Sequence, residues 1–177
     1  MTPRTIVTPT DPVLRTRASR VRSFDSGLQR LIDDMIETMR AEPGVGLAAP
    51  QVGDGRRVIV VEYREDDDPP DSAQESKPPK LYALVNPEIT RHSQQTVTGN
   101  EACLSLPGYG GEVDRFEAVT IKGLNRHGDP VRIRAKGWLA RIFQHEIDHL
   151  EGILYIDRAT RVWRVEQQEG VQVIPAD

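Results

Sequence analysis

The chain has 177 residues, 37% hydrophobic and 28% charged, which suits one domain with one sizeable core. Its 23 basic and 27 acidic residues leave a formal charge of −4, which offers no electrostatic footprint for direct nucleic-acid binding and little pull toward an anionic membrane. The lone cysteine excludes an internal disulfide, and no apolar run reaches a signal peptide or the roughly 18 residues of a membrane span, so a cytoplasmic location is expected.

The first element is a helix over residues 26–40. Leu28, Leu31, Ile32, Met35, Ile36 and Met39 recur at helical spacing as one apolar stripe, which reads as core packing. Asp25 or Ser26 can cap its start, and Pro43 followed by Gly44 ends it. A stretch rich in small residues follows, then the β-branched run 58–61, which predicts a strand.

Residues 64–80 hold four prolines and six acids with almost nothing apolar, too little to offset the entropy of ordering them. They are expected to form a mobile surface loop within a single domain spanning 1–177, since neither flank alone could make a core. Further strands are predicted at 81–85, 95–99, 113–124 and 131–135, and the turn chemistry of 125–129 joins the last two as a hairpin. A second helix covers 137–150, with Leu139, Ile142, Phe143 and Leu150 on its apolar side and Gly152 as its stop. Residues 153–156 read as one more strand, and the tail at 158–177 has no assignable pattern. Short strands around two helices give an α+β fold rather than a βαβ winding.

The second helix carries the chemistry, in Gln144-His145-Glu146-Ile147-Asp148-His149. Positions i and i+4 share a helix face, so His145 and His149 can point at one centre. Two imidazoles at that spacing suit a divalent transition metal, and Glu146, one step around, can reach a water there. A metal lowers the pKa of such a water toward about 7, and Glu146 can relay its proton. Both histidines otherwise occupy apolar stripe positions beside Phe143 and Leu150, where unpaired imidazoles are costly to bury.

A catalytic metal normally takes three protein ligands, and no third histidine or glutamate follows at the spacing of common metalloproteases. Glu151 points to another face. The strongest remaining candidate is Cys103, although a lone cysteine also serves as a small buried hydrophobe. A thiolate beside two imidazoles favours iron(II) or zinc, and a ferrous-thiolate site is prone to oxidation.

Three segments together resemble the peptide deformylase family: Gly44-Val45-Gly46-Leu47-Ala48-Ala49-Pro50-Gln51, Glu101-Ala102-Cys103-Leu104-Ser105, and Gln144-His145-Glu146-Ile147-Asp148-His149. The first and third match the family pattern fully and the second at four of five positions. The resemblance implies an α+β fold of short antiparallel sheets packed around a central metal-ligand helix, with one further N-terminal helix. It implies Cys103, His145 and His149 as metal ligands and Glu146 as general acid/base, with the Gln51 amide and the Leu104 backbone N–H stabilising the oxyanion. The implied reaction removes formate from the N-formylmethionine of nascent polypeptides, by attack of a metal-bound hydroxide. Iron(II) is the implied metal, with zinc, nickel or cobalt as substitutes, and nascent N-formylmethionyl peptides at the ribosome are the implied partners.

The residues support a groove beside this centre. Gly44 and Gly46 lack side chains, so a substrate backbone can pair there as an added strand, although Gly44 alone also serves as a helix-ending turn. Val45, Ile142 and the aliphatic part of Arg141 are candidates for an apolar methionine pocket. Arg115 matches an arginine near the substrate groove of relatives, with a surface salt bridge as the alternative. Glu101 is expected to orient a ligand histidine, and Asp148 to serve as an ion-pair partner.

Ala102 departs from the family's usual glycine. A positive φ there would cost alanine on the order of 1–2 kcal/mol, whereas if glycine serves close substrate approach the methyl group would narrow the groove and alter KM. Two other readings share parts of this pattern. A metalloprotease would take a third ligand other than Cys103, and a non-catalytic peptide binder would dispense with Glu146 and Gln51.

Overall fold

The computed structural model describes residues 2–64 and 78–165. Most of the expected loop at 64–80 and most of the tail therefore lie outside the described residues.

Helix α1 spans Ser26–Ala41, and its cap is Asp25, whose carboxylate accepts the Leu28 N–H at 3.0 Å. The six stripe residues are all buried against the sheet. The chain then forms β1 (Gly46–Ala48), a 3-10 turn at Ala49–Val52, β2 (Val58–Tyr63) and β3 (Lys80–His92). It continues through β4 (Thr96–Ala102), β5 (Tyr109–Phe116), β6 (Ala118–Leu124), β7 (Pro130–Lys136), α2 (Gly137–Leu150) and β8 (Arg161–Arg164). Every strand pair is antiparallel. One sheet has the order β1-β2-β3-β6-β7 and the other β4-β5-β8, so the fold is α+β as expected.

Three strand expectations are corrected. The strand predicted at 81–85 continues to His92, through register shifts on either side of Glu88 and Ile89. Asn86 there adopts φ 52°, a left-handed conformation that asparagine tolerates, and its side chain bonds both the N–H (2.8 Å) and the carbonyl (2.9 Å) of Val21. The predicted strand at 113–124 is two strands, broken at Glu117, where the chain leaves the small sheet for the large one. Residues 153–156 form no strand. A 3-10 turn at Tyr155–Asp157 buries Tyr155, and the Asp157 carboxylate accepts the Leu154 N–H at 2.8 Å.

The large sheet lies between the two helices. Ile59, Val61, Leu84 and Ile121 share a core with Leu139 and Phe143 of α2, while Val58, Val60 and Val85 share another with Leu31 and Met35 of α1. Alternate residues of a strand point to opposite faces, so β1, β2 and β3 feed both cores. Helix α1 lies over β1 and β2, and further along the same face Lys122, Arg132, Arg134 and Lys136 are exposed.

Candidate metal centre

Helix α2 sits where the two sheets meet. Gln144 ties it to the end of β5: its carbonyl accepts the Phe116 N–H at 3.0 Å and its amide donates to the Phe116 carbonyl at 2.9 Å. That registry brings His145 and His149 opposite Cys103, the residue after β4. One ligand atom from each lies within 4.8 Å of the others. The Cys103 Sγ to His149 Nε2 distance is 3.4 Å. Metal–sulfur and metal–nitrogen bonds of ordinary length at a tetrahedral angle require about 3.6 Å between those atoms. Donor types, spacing and burial thus fit a divalent cation.

Glu101 organises the histidine side of the centre. Its Oε2 lies 2.9 Å from His145 Nδ1, which leaves Nε2 of that ring to face the cluster. Arg115 donates to the Glu101 carboxylate twice, at 2.8 and 2.9 Å, and Arg141 donates to it at 2.9 Å. Burial opposes ionisation of Glu101, but the hydrogen bonds from Arg115 and His145 outweigh it and hold the carboxyl well below the usual carboxylate range. Asp148 receives Arg115 at 2.6 Å and Arg158 at 2.6 and 2.8 Å, so it is an ion-pair partner as expected. On the other ring, burial and the charge of His145 push His149 well below the ordinary histidine range. That direction favours the neutral ring, the form a metal takes, whereas His145, despite its burial, is raised well above the ordinary range by its hydrogen bonds with Cys103 and Glu101.

Around these three residues stand the other site candidates. Glu146 is 4% exposed, and its Oε2 is buried without a hydrogen-bond partner among the described residues. Burial, against the opposing charge of His145, pushes its carboxyl up to about 7, a value suited to exchanging protons at neutral pH. The Gln51 carbonyl accepts the Ala48 N–H at 2.9 Å, which aims its amide nitrogen at Cys103 Sγ and Ser105 Oγ, each 3.4 Å away. The Leu104 N–H has no hydrogen-bond partner among the described residues, so it is available to an anionic oxygen.

Both glycines of the first motif are closely approached by a side chain. A β-carbon on Gly46 would lie 2.5 Å from Glu146 Oε1, and one on Gly44 would lie 2.9 Å from Leu104 Cδ1. Gly46→Ala is therefore expected to displace the Glu146 carboxylate. Turnover should fall roughly ten- to a hundredfold, the scale for misplacing a reacting group by about 1 Å, with metal content unchanged. Steady-state kinetics with metal analysis checks this, and wild-type turnover in the variant would remove the contact from the mechanism.

Arg115 differs from the expected groove contact and from the expected surface salt bridge. It is 4% exposed, and its guanidinium is fully engaged by Glu101 and Asp148. Val45 is 44% exposed beside Gly44 and Gly46, whereas Ile142 is buried in the core on the α2 side. Ala102 lies in β4 paired with Gly110, and among the described non-glycine residues only Asn86 has a positive φ. Alanine therefore costs no backbone strain at 102.

Sequence reasoning missed Arg141 as a hub. Its guanidinium also donates to the Val97 and Val113 carbonyls, at 2.6 and 2.9 Å, tying α2 to the small sheet. The signal was present, because Arg141 precedes His145 by four residues and shares its helix face. Arg158 and Tyr155 were also missed. The Tyr155 ring stacks parallel to His145 with centroids 6.1 Å apart, and only the turn at Tyr155–Asp157 brings it there.

Comparison with known proteins adds an independent observation. The polypeptide deformylase family model matches residues 3–165. A peptide deformylase of Thermomicrobium roseum is 47% identical over 175 residues, covering 99% of this chain and 93% of that protein. Among solved structures, a class I type b peptide deformylase from Acinetobacter baumannii matches with a TM-score of 0.80 and 37% identity, over 89% of this chain and 99% of that one. The Thermotoga maritima peptide deformylase matches with a TM-score of 0.78 and 39% identity, over 91% and 100% of the two chains.

Proposed function

Because the chain belongs to the polypeptide deformylase family, we propose that its hydrolysis of the N-formyl group of nascent polypeptides runs on the residues gathered between α2 and β4. Cys103, His145 and His149 hold the divalent cation. Iron(II) is the metal of this reading, in keeping with a mixed thiolate and imidazole donor set, and zinc, nickel or cobalt can replace it. When bound, the cation acidifies a water toward neutral pH and so supplies the nucleophile.

The chain's own groups do the rest. Glu146, buried and with one oxygen unpartnered, takes the proton from the attacking water and delivers it to the departing amine nitrogen. The Gln51 amide and the Leu104 N–H stabilise the negative charge that develops on the formyl oxygen. Glu101, held by Arg115 and Arg141, fixes the tautomer and orientation of His145. Gly44, Val45 and Gly46 offer an edge for the substrate backbone, and Val45 contributes apolar surface for the methionine side chain, with Ile142 in the core behind it. Because Arg115 is sequestered, its part is to fix Glu101. No helix among the described residues is long and apolar enough to cross a membrane, and the reading places the enzyme in the cytoplasm, where ribosomes release such chains.

The observation that carries this reading is the convergence of one sulfur and two imidazole nitrogens within 4.8 Å, beside an unpartnered buried carboxylate oxygen. The test is formate release from a formyl-methionyl peptide by protein purified without oxygen, with metal analysis in parallel. About one equivalent of iron and an activity lost on exposure to air are expected. A preparation carrying metal but releasing no formate would overturn the proposal.

A further inference from the structure

The formal charge of −4 conceals an uneven distribution. On the face of the large sheet that α1 leaves uncovered, strand register sets Arg91 against Thr120, Thr120 against Arg134, Lys122 against Arg132, and Ala118 against Lys136. Paired residues share a face, so five cations stand together on β3, β6 and β7. Along β7, Arg132, Arg134 and Lys136 follow one another about 6.8 Å apart. All five are exposed, and none has a carboxylate partner among the described residues. The same register sets Glu88 opposite Lys122, and its carboxylate lies 3.4 Å from Arg20. A hollow of about 370 Å³ opens at the edge of the face, with Arg20, Lys122 and Arg132 among its lining residues.

An unpaired row of like charges on a flat sheet is self-repelling, and a polyanion of repeating charge relieves that repulsion. We propose that this face docks the phosphodiester backbone of a folded RNA, and that the expectation of no direct nucleic-acid contact is to be revised. The choice of RNA rests on the functional reading above, since a nascent polypeptide is presented by an RNA-rich particle. The binding is independent of sequence: no exposed aromatic on β6 or β7 offers a stacking platform. The same strands lack the exposed bulky apolar residues that would anchor a membrane-surface protein. The face lies on the opposite side of the sheet from α2, so docking leaves the metal centre open to a peptide.

The test is fluorescence anisotropy of the full chain with a labelled RNA duplex of roughly 16 base pairs, a DNA duplex of equal length, and anionic lipid vesicles, at about 50 and 200 mM salt. Wild type should bind the RNA, more weakly at the higher salt. Arg132→Glu with Arg134→Glu should weaken it at least about tenfold and lower the salt slope by about two. Formate release from a free formyl-methionyl peptide should be unchanged in that variant, which certifies its fold and separates this test from the catalytic reading. Arg132→Gln with Arg134→Gln should give a smaller loss in the same direction. Equal RNA affinity in wild type and both variants, or binding confined to vesicles or to DNA, would overturn the proposal.

Discussion

Glu146→Ala should retain its metal and lose at least about a hundredfold in turnover, the scale for removing a general acid/base. The side chain is buried against Gly46, and its Oε2 meets no protein partner, so its truncation orphans no buried group among the described residues. The three ligand-bearing residues are untouched. Glu101, Arg115 and Arg141 still hold His145, and Cys103 stays at the end of β4. The loss should fall on kcat, with KM little changed, because the carboxylate acts on protons in transit. Metal analysis with steady-state kinetics checks both halves, and unchanged turnover would remove Glu146 from the mechanism.

Cys103→Ala should abolish both metal retention and formate release. Two imidazoles from one helix leave a divalent ion two protein ligands where a catalytic site normally has three. The fold should survive, since alanine is smaller than the thiol it replaces and Cys103 belongs to the small cluster with Val113 and Tyr155 rather than to the two large cores. Dialysis followed by metal analysis, with circular dichroism as the control, decides the matter. Full metal content in this variant would point to a different third ligand and to another class of metal hydrolase.

The parts of this molecule governed by short-range rules were legible in the sequence. Helix α1 could be read from a six-residue stripe and an aspartate cap, and α2 from its apolar spacing and the following glycine. The i, i+4 histidines were legible for the same reason; Cys103 stood out as the lone thiol left to complete a ligand set and the resemblance then implied it, though no local rule links it to them. What stayed hidden depends on contacts between distant segments. Asn86-Pro87 has turn chemistry, yet β3 runs through it because the Asn86 side chain bonds Val21 across the chain. The apolar run 113–124 alternates like one strand, and nothing local marks Glu117 as the point where it changes sheets. Residues 153–156 are apolar enough for a strand, but a carboxylate two positions beyond Tyr155 closes them into a turn.

Arg115 illustrates a related blind spot. An arginine between aspartate and phenylalanine on a strand gives no sign of whether it meets solvent, substrate or a buried acid. Its place became clear only when β5 was seen to run beside Glu101 of β4 and beneath Asp148 of α2. Buried ion pairs of this kind are weak evidence for net stability. Here the cluster's plain effect is geometric, since it fixes the carboxylate that fixes the histidine.

Ala102 precedes Cys103 on an extended strand, with its methyl group toward solvent. Because an extended backbone accepts a side chain of any shape, substitution here carries no backbone penalty. At this residue, the side chain can drift while foldability stays constant.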